Sequence, residues 1–143
     1  METNGESSDR ISAVDGLDAI AAARRAVRDQ PWPTWLYPTN ALLLGAITLT
    51  SLLDSSMMAS LLILVLGVGV ALINYQSGRL MGTPYAVPTS KVFLGLVILA
   101  GASTATAVVL RETLSEQGMI ACAAGAIISY GLGSVVHYRS THK

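Results

Sequence analysis

The sequence predicts an all-α integral membrane protein. The expected architecture is a bundle of four transmembrane helices, arranged as two duplicated helical hairpins, with an N-terminal amphipathic cytoplasmic helix ahead of them. Three observations carry this expectation. Of the 143 residues, 52% are hydrophobic and only 13% are charged, about half the charge density of an average soluble domain, and mean hydropathy is +0.54. Charged side chains are absent from 55–78, 92–110 and 117–138. Four apolar runs, 36–53, 57–75, 92–110 and 118–138, come close to or reach the ~20 residues that a helix needs to cross a ~30 Å hydrocarbon core.

These features exclude a soluble enzyme, a basic nucleic-acid binder and a disulfide-stapled secreted module. Cys122 is the one cysteine and has no partner for an internal bridge. Arginine outnumbers lysine seven to two, with abundant Ala, Leu and Gly, a usage typical of high-GC bacterial chains.

Residues 1–11 are polar and acidic without apolar periodicity and read as a disordered tail, not a signal peptide. Over 12–30, Val14, Leu17, Ile20, Ala21 and Val27 recur at helical spacing, with Ser12 and Asp15 spaced as an N-cap and its N3 acid. Arg24, Arg25 and Arg28 end this stretch, which reads as an interfacial helix resting on anionic headgroups. Pro31 and Pro33 stop it.

The first span, 36–53, ends at Asp54, and Ser55 and Ser56 offer caps to the second, 57–75. Residues 76–91 carry Gly78, Gly82, Pro84 and Pro88 and read as a cytoplasmic loop. The third span, 92–110, and the fourth, 118–138, are separated by a short polar turn in which Ser115 is placed to cap, and 139–143 is the tail. Because backbone in lipid must bond within its own segment, helices are the natural solution for runs of this length.

Arg10, Arg24, Arg25, Arg28, Arg79, Lys91, Arg139 and Lys143 fall on one side of a four-span arrangement and only Arg111 on the other. The positive-inside rule then puts both termini in the cytoplasm, in a cell (inner or plasma) membrane. Sliding the chain by 50 residues sets 35–40 over 85–90, sharing an aromatic-x-x-Pro-Thr element, with Leu44 over Leu94 and Gly45 over Gly95. That match is the basis for a duplicated hairpin, its halves related about the membrane normal.

Small residues mark packing faces. In the fourth span Ala121, Gly125, Ser129 and Gly133 recur every four residues; the third offers Gly101/Ala105 and Ala102/Thr106, and the second Gly67 and Ala71. The sequence contains no metal-binding, nucleotide-binding or nucleophile motif, so neither catalytic, cofactor nor metal residues are assigned. No ionisable side chain lies in the middle of a span to bind a coupling ion. One polar group remains: Asn40 and Ser90 open the first and third spans, and Asn74 and His137 close the second and fourth, at a common cytoplasmic depth where they would line a shallow polar mouth. The expected role is non-enzymatic: an accessory, scaffold or regulatory subunit acting through helix–helix contacts with another membrane protein or its own copies. The alternative is an oligomeric transporter or channel for small neutral or lipophilic solutes.

Overall fold

The computed structural model describes residues 15–23, 32–82, 88 and 90–141. All regular structure in them is helical: α1 over 15–23, α2 Leu36–Leu49 running into a 3-10 turn at Thr50–Leu52, α3 Ser56–Leu80, α4 Lys91–Val109 and α5 Glu116–Thr141. Helices α3, α4 and α5 are long and apolar enough to cross a membrane; α2 with its turn is a shorter apolar helix. In α1, Leu17 and Ile20 are exposed. The tail 1–11 lies outside the described residues, as do Arg24, Arg25 and Arg28 and the larger part of the second repeat copy, 85–87 and 89.

Local chemistry sets each boundary. The chain turns into α2 as Leu36 N–H donates to Pro33 O (2.9 Å). Pro38 sits in the first turn, where its missing N–H is one of the helix's unpaired donors in any case. At the far end, hydroxyls of Thr48, Thr50 and Ser51 donate back to Leu44, Ile47 and Thr48 carbonyls at 2.8, 2.6 and 2.6 Å. Such back-bonds compete with helical pairing, and the helix tightens into the 3-10 turn before Leu53 becomes extended. Together α2 and the turn reach about 27 Å, slightly under the hydrocarbon thickness.

Ser55, Ser90 and Ser115 cap α3, α4 and α5, their Oγ atoms accepting from Met58, Phe93 and Gly118 N–H at 3.3, 3.3 and 3.2 Å. Two helices outrun their expected limits. α3 continues past Tyr75 to Leu80, and α5 past Tyr138 to Thr141. The stop for α3 is Gly82, the residue with φ +73°, rather than Gly78, which is helical and buried; a left-handed residue after the last turn ends a helix where an interior glycine does not. The loop expected over 76–91 is therefore shorter.

α2 is the centre. Leu36, Tyr37, Asn40, Ala41, Gly45, Ile47 and Thr48 are buried, and only Pro38, Leu42 and Leu49 are exposed. α4 and α5 pack along each other and both pack on α2, whereas α3 packs on α2 and the 3-10 turn and on no other described element. The core where α2, α4 and α5 meet is Ala41, Ala100 and Tyr130, surrounded by Leu44, Val97 and Ile127. Alanine and glycine at the crossings allow close backbone approach, which is what favours helix association in lipid.

The packing seams differ from the expected stripes. On α5, Ser129 and Gly133 are buried, but Ala121 is exposed and Gly125 only partly covered. The buried line is Met119, Ala123, Ala126, Tyr130, Ser134 and His137. On α4, Ala100 and Ala107 are buried, while Gly101, Ala102, Ala105 and Thr106 face outward. On α3, Ala71 is exposed and nothing approaches Gly67. These helices are small on more than one side, so the seam is chosen by what the large residues need: Phe93, Met119 and Tyr130 all turn inward. The two hairpins also pack differently. Gly45 touches Ile127, whereas Gly95, its counterpart in the repeat, faces open space.

A Cβ added at Gly45 would fall 2.6 Å from Ile127 Cδ1 and 2.8 Å from Cγ1, whereas nothing lies within 4 Å of Gly101. Gly45→Ala should destabilise by about 1–3 kcal/mol through overpacking. Gly101→Ala should be neutral or stabilising by up to about 1 kcal/mol through helix propensity. Unfolding equilibria of the purified protein in mixed micelles check the contrast, and shortening Ile127 to Val should recover part of the Gly45→Ala loss.

Candidate functional site

The polar side chains of α2 build a ladder along the bundle. Tyr37, Asn40, Leu44 and Thr48 lie at steps of three and four residues, so they share one helical face. In an apolar setting a face carrying a phenol, an amide and a hydroxyl must turn toward other helices, because lipid offers no hydrogen-bond partner.

The first rung is Tyr37. Its hydroxyl and His137 Nδ1 are 2.8 Å apart. Aromatic rings enclose the imidazole: Trp32 with its centroid at 4.9 Å, Phe93 at 4.7 Å and Tyr37 at 5.9 Å. Trp32 also stacks on Tyr37 (6.0 Å) and meets Phe93 edge-on (5.7 Å). His137 is 4% exposed. Ser90 shapes this cluster indirectly, since its cap on Phe93 N–H starts α4 at the residue whose ring covers the imidazole.

One turn further along, Asn40 joins three helices. Its Nδ2 donates to Asn74 Oδ1 on α3 (3.0 Å) and to the Tyr130 hydroxyl on α5 (2.9 Å). Asn74 Nδ2 returns a bond to Asn40 Oδ1 (2.8 Å) and donates its second proton to Val70 O in its own helix (2.8 Å). All four amide protons of the pair are thereby used. The last rung joins α2 to α4, where the Thr48 and Thr104 hydroxyls meet at 2.9 Å. Beyond it, Arg111 Nη2 donates to Leu53 O (2.9 Å), placing a cation at the carbonyl end of α2 and its turn.

Of the four residues expected to line a mouth, Asn40 and Asn74 bond each other, His137 lies a turn away on Tyr37, and Ser90 is a helix cap. Asn40 and His137 are buried, so these groups are turned onto one another. Among the described residues no buried side-chain nitrogen or oxygen lacks a hydrogen-bond partner. Chemically the ladder is a register device: it fixes the rotation of α2 against α3, α4 and α5. Tyr130 was missed in the sequence, although it is the one aromatic residue in the interior of the fourth apolar run, where a hydroxyl must face protein. Thr48 and Thr104 were missed because threonine in a membrane helix also bonds its own backbone, as both do here.

At the opposite end, Ser51, Leu52, Leu53, Asp54, Arg111, Glu112, Glu116 and Met119 line an open cleft of about 490 Å³. Among the described residues no group of three or more His, Cys, Asp or Glu is gathered to hold a metal ion. Cys122 is a half-buried free thiol.

Because Asn40 serves two helices, with two bonds to Asn74 and one to Tyr130, Asn40→Ala should cost more than Tyr130→Phe. A difference of about 1–2 kcal/mol is expected, with an Asn40/Tyr130 coupling of about 0.5–1.5 kcal/mol in a double-mutant cycle. Reversible unfolding in bicelles measures both. The chain matches no protein-family model, no curated protein and no solved structure.

Proposed function

We propose that the chain is a four-span bundle of the cell membrane, with both ends in the cytoplasm, that works without catalysis as an accessory or scaffold subunit. It acts through helix–helix contacts with another membrane protein or with its own copies. One observation carries this reading. Gly67, Gly69, Gly95 and Gly101 lie inside α3 and α4 with nothing within 4 Å of the place a Cβ would occupy. An interior helix glycine costs up to about 1 kcal/mol relative to alanine, and a close-packed neighbour is what offsets that cost in a membrane. Among the described residues these glycines have no such neighbour, so they support a role for the outer faces of α3 and α4 as docking surfaces. The pairing of the buried polar groups supports the same reading, since among the described residues every buried side-chain nitrogen and oxygen has a hydrogen-bond partner within the chain.

In this reading the side bearing eight of the nine basic residues faces the cytoplasm, and Arg24, Arg25 and Arg28 meet anionic headgroups. The single outward cation, Arg111, is engaged on Leu53 O.

Two measurements test the proposal. In mild detergent the chain should run well above its 14.9 kDa mass, and Gly67→Leu or Gly101→Leu should reduce the larger species about tenfold or more without loosening the fold. A species unchanged by both substitutions, or a homo-oligomer that passes solute in proteoliposomes, would sink the docking role. In a Cys122→Ser background, Thr113→Cys should react with an impermeant maleimide on intact cells, and Ser140→Cys only after permeabilisation. The reverse pattern would overturn the orientation.

A further inference from the structure

We infer that α3 is a displaceable flap on a three-helix core, clasped by the Asn40–Asn74 amide pair. The core is α2, α4 and α5, each packed on the other two; α3 packs on α2 and the 3-10 turn alone. Among the less exposed positions of α3, Ala59, Ile63, Leu66, Val70, Ile73 and Ser77 follow four- and three-residue steps along one side, flanked by the partly covered Leu62, Gly67, Gly69 and Asn74, the seam of a two-helix contact. Its opposite side, with Met57, Leu61, Leu64, Val68 and Leu72, is exposed.

An apolar seam between two helices gains little in lipid, which is as apolar as the partner helix, so polar bonds contribute much of what holds such a pair. Between α2 and α3 that bond is the reciprocal pair at 3.0 and 2.8 Å. It sits near the end of α3 where Ser77 and Gly78 are buried. At the other end α3 is tied by Leu53, Asp54 and Ser55 to the 3-10 turn, which touches α4 and α5 as well. Arg111 fixes Leu53 there. This end is the pivot and the amide pair the latch.

Opening leaves the core's own polar contacts in place: Asn40 keeps its bond to Tyr130, and Tyr37 its bond to His137. What opening bares is the Asn40 carbonyl and one amide proton, which only a polar group can satisfy at that depth. Resting on the proposed docking role, the group admitted in place of Asn74 is an amide or hydroxyl side chain of a partner helix.

Distances between spin labels in the isolated chain test the flap without a partner, so the outcome does not depend on whether docking occurs. In a Cys122→Ser background diluted with unlabelled protein in nanodiscs, Leu72→Cys paired with Leu132→Cys reports α3 against α5. Ile98→Cys paired with Leu132→Cys reports α4 against α5. The α3–α5 distances should include a second, longer population, raised about threefold or more by Asn74→Ala. The α4–α5 distances should stay single and unchanged. One narrow α3–α5 distribution that ignores Asn74→Ala would overturn the inference, as would equal broadening of both pairs.

Discussion

The structure depends on one constraint: polar side chains on an apolar helix must find partners inside the protein. α2 carries a phenol, an amide and a threonine hydroxyl on one face, and each reaches a different set of helices. Tyr37 reaches α5, Asn40 reaches α3 and α5, and Thr48 reaches α4. The shortest of the four long helices therefore becomes the centre. Dispersion alone would let these small-faced helices rotate against one another at little cost, since alanine and glycine pack on any side. The hydrogen bonds remove that freedom by leaving a lipid-facing amide or phenol as the alternative.

This division of labour accounts for the distribution of small and large residues. Where the ladder holds the helices close, the residues between rungs are Ala41, Gly45, Ala100 and Ala126. Aromatic bulk is gathered at the Tyr37 end, where Trp32, Tyr37, Phe93 and His137 fill the space between the helix ends. Tyr130 bridges the two regions, with its ring edge-on to Phe93 at 6.2 Å and its hydroxyl on Asn40. The far end is built differently, from hydroxyl back-bonds, a 3-10 turn and the Arg111 guanidinium beside an open cleft. The shorter apolar helix is thus finished by hydroxyls that bond its own carbonyls, with Thr50 and Ser51 buried.

Much of the fold was legible in the residues. Apolar runs of spanning length, and the serines at 55, 90 and 115 that start α3, α4 and α5, are local signals that depend on nothing distant. Boundaries at Leu80 and Thr141 were less so. Gly78 looks like a stop in one dimension, while the left-handed Gly82 shows its role only in the backbone. For the candidate site, Asn40, Asn74 and His137 stood out as polar residues at a common depth. Their partners did not: Tyr37, at the start of an apolar run, reads equally well as an interfacial anchor or a core aromatic, and which helix the mid-run hydroxyl of Tyr130 meets is decided only when neighbouring helices are placed.

Composition and order alone determined that this chain is helical and apolar on the scale of a membrane, and where along it polar groups interrupt that character. These are properties of single segments, set by side-chain transfer energies and backbone hydrogen bonding within each helix. Tertiary structure decided which of several equivalent small faces was used. It turned Ala121 and Gly101 outward and Ala126 and Ala100 inward, and left α3 at the side of the core instead of closing the bundle. Small residues permit contact on any face and specify none. The choice fell to the large residues that turn inward, Phe93, Met119 and Tyr130, and to a few hydrogen bonds whose two halves lie 34, 90 and 100 residues apart.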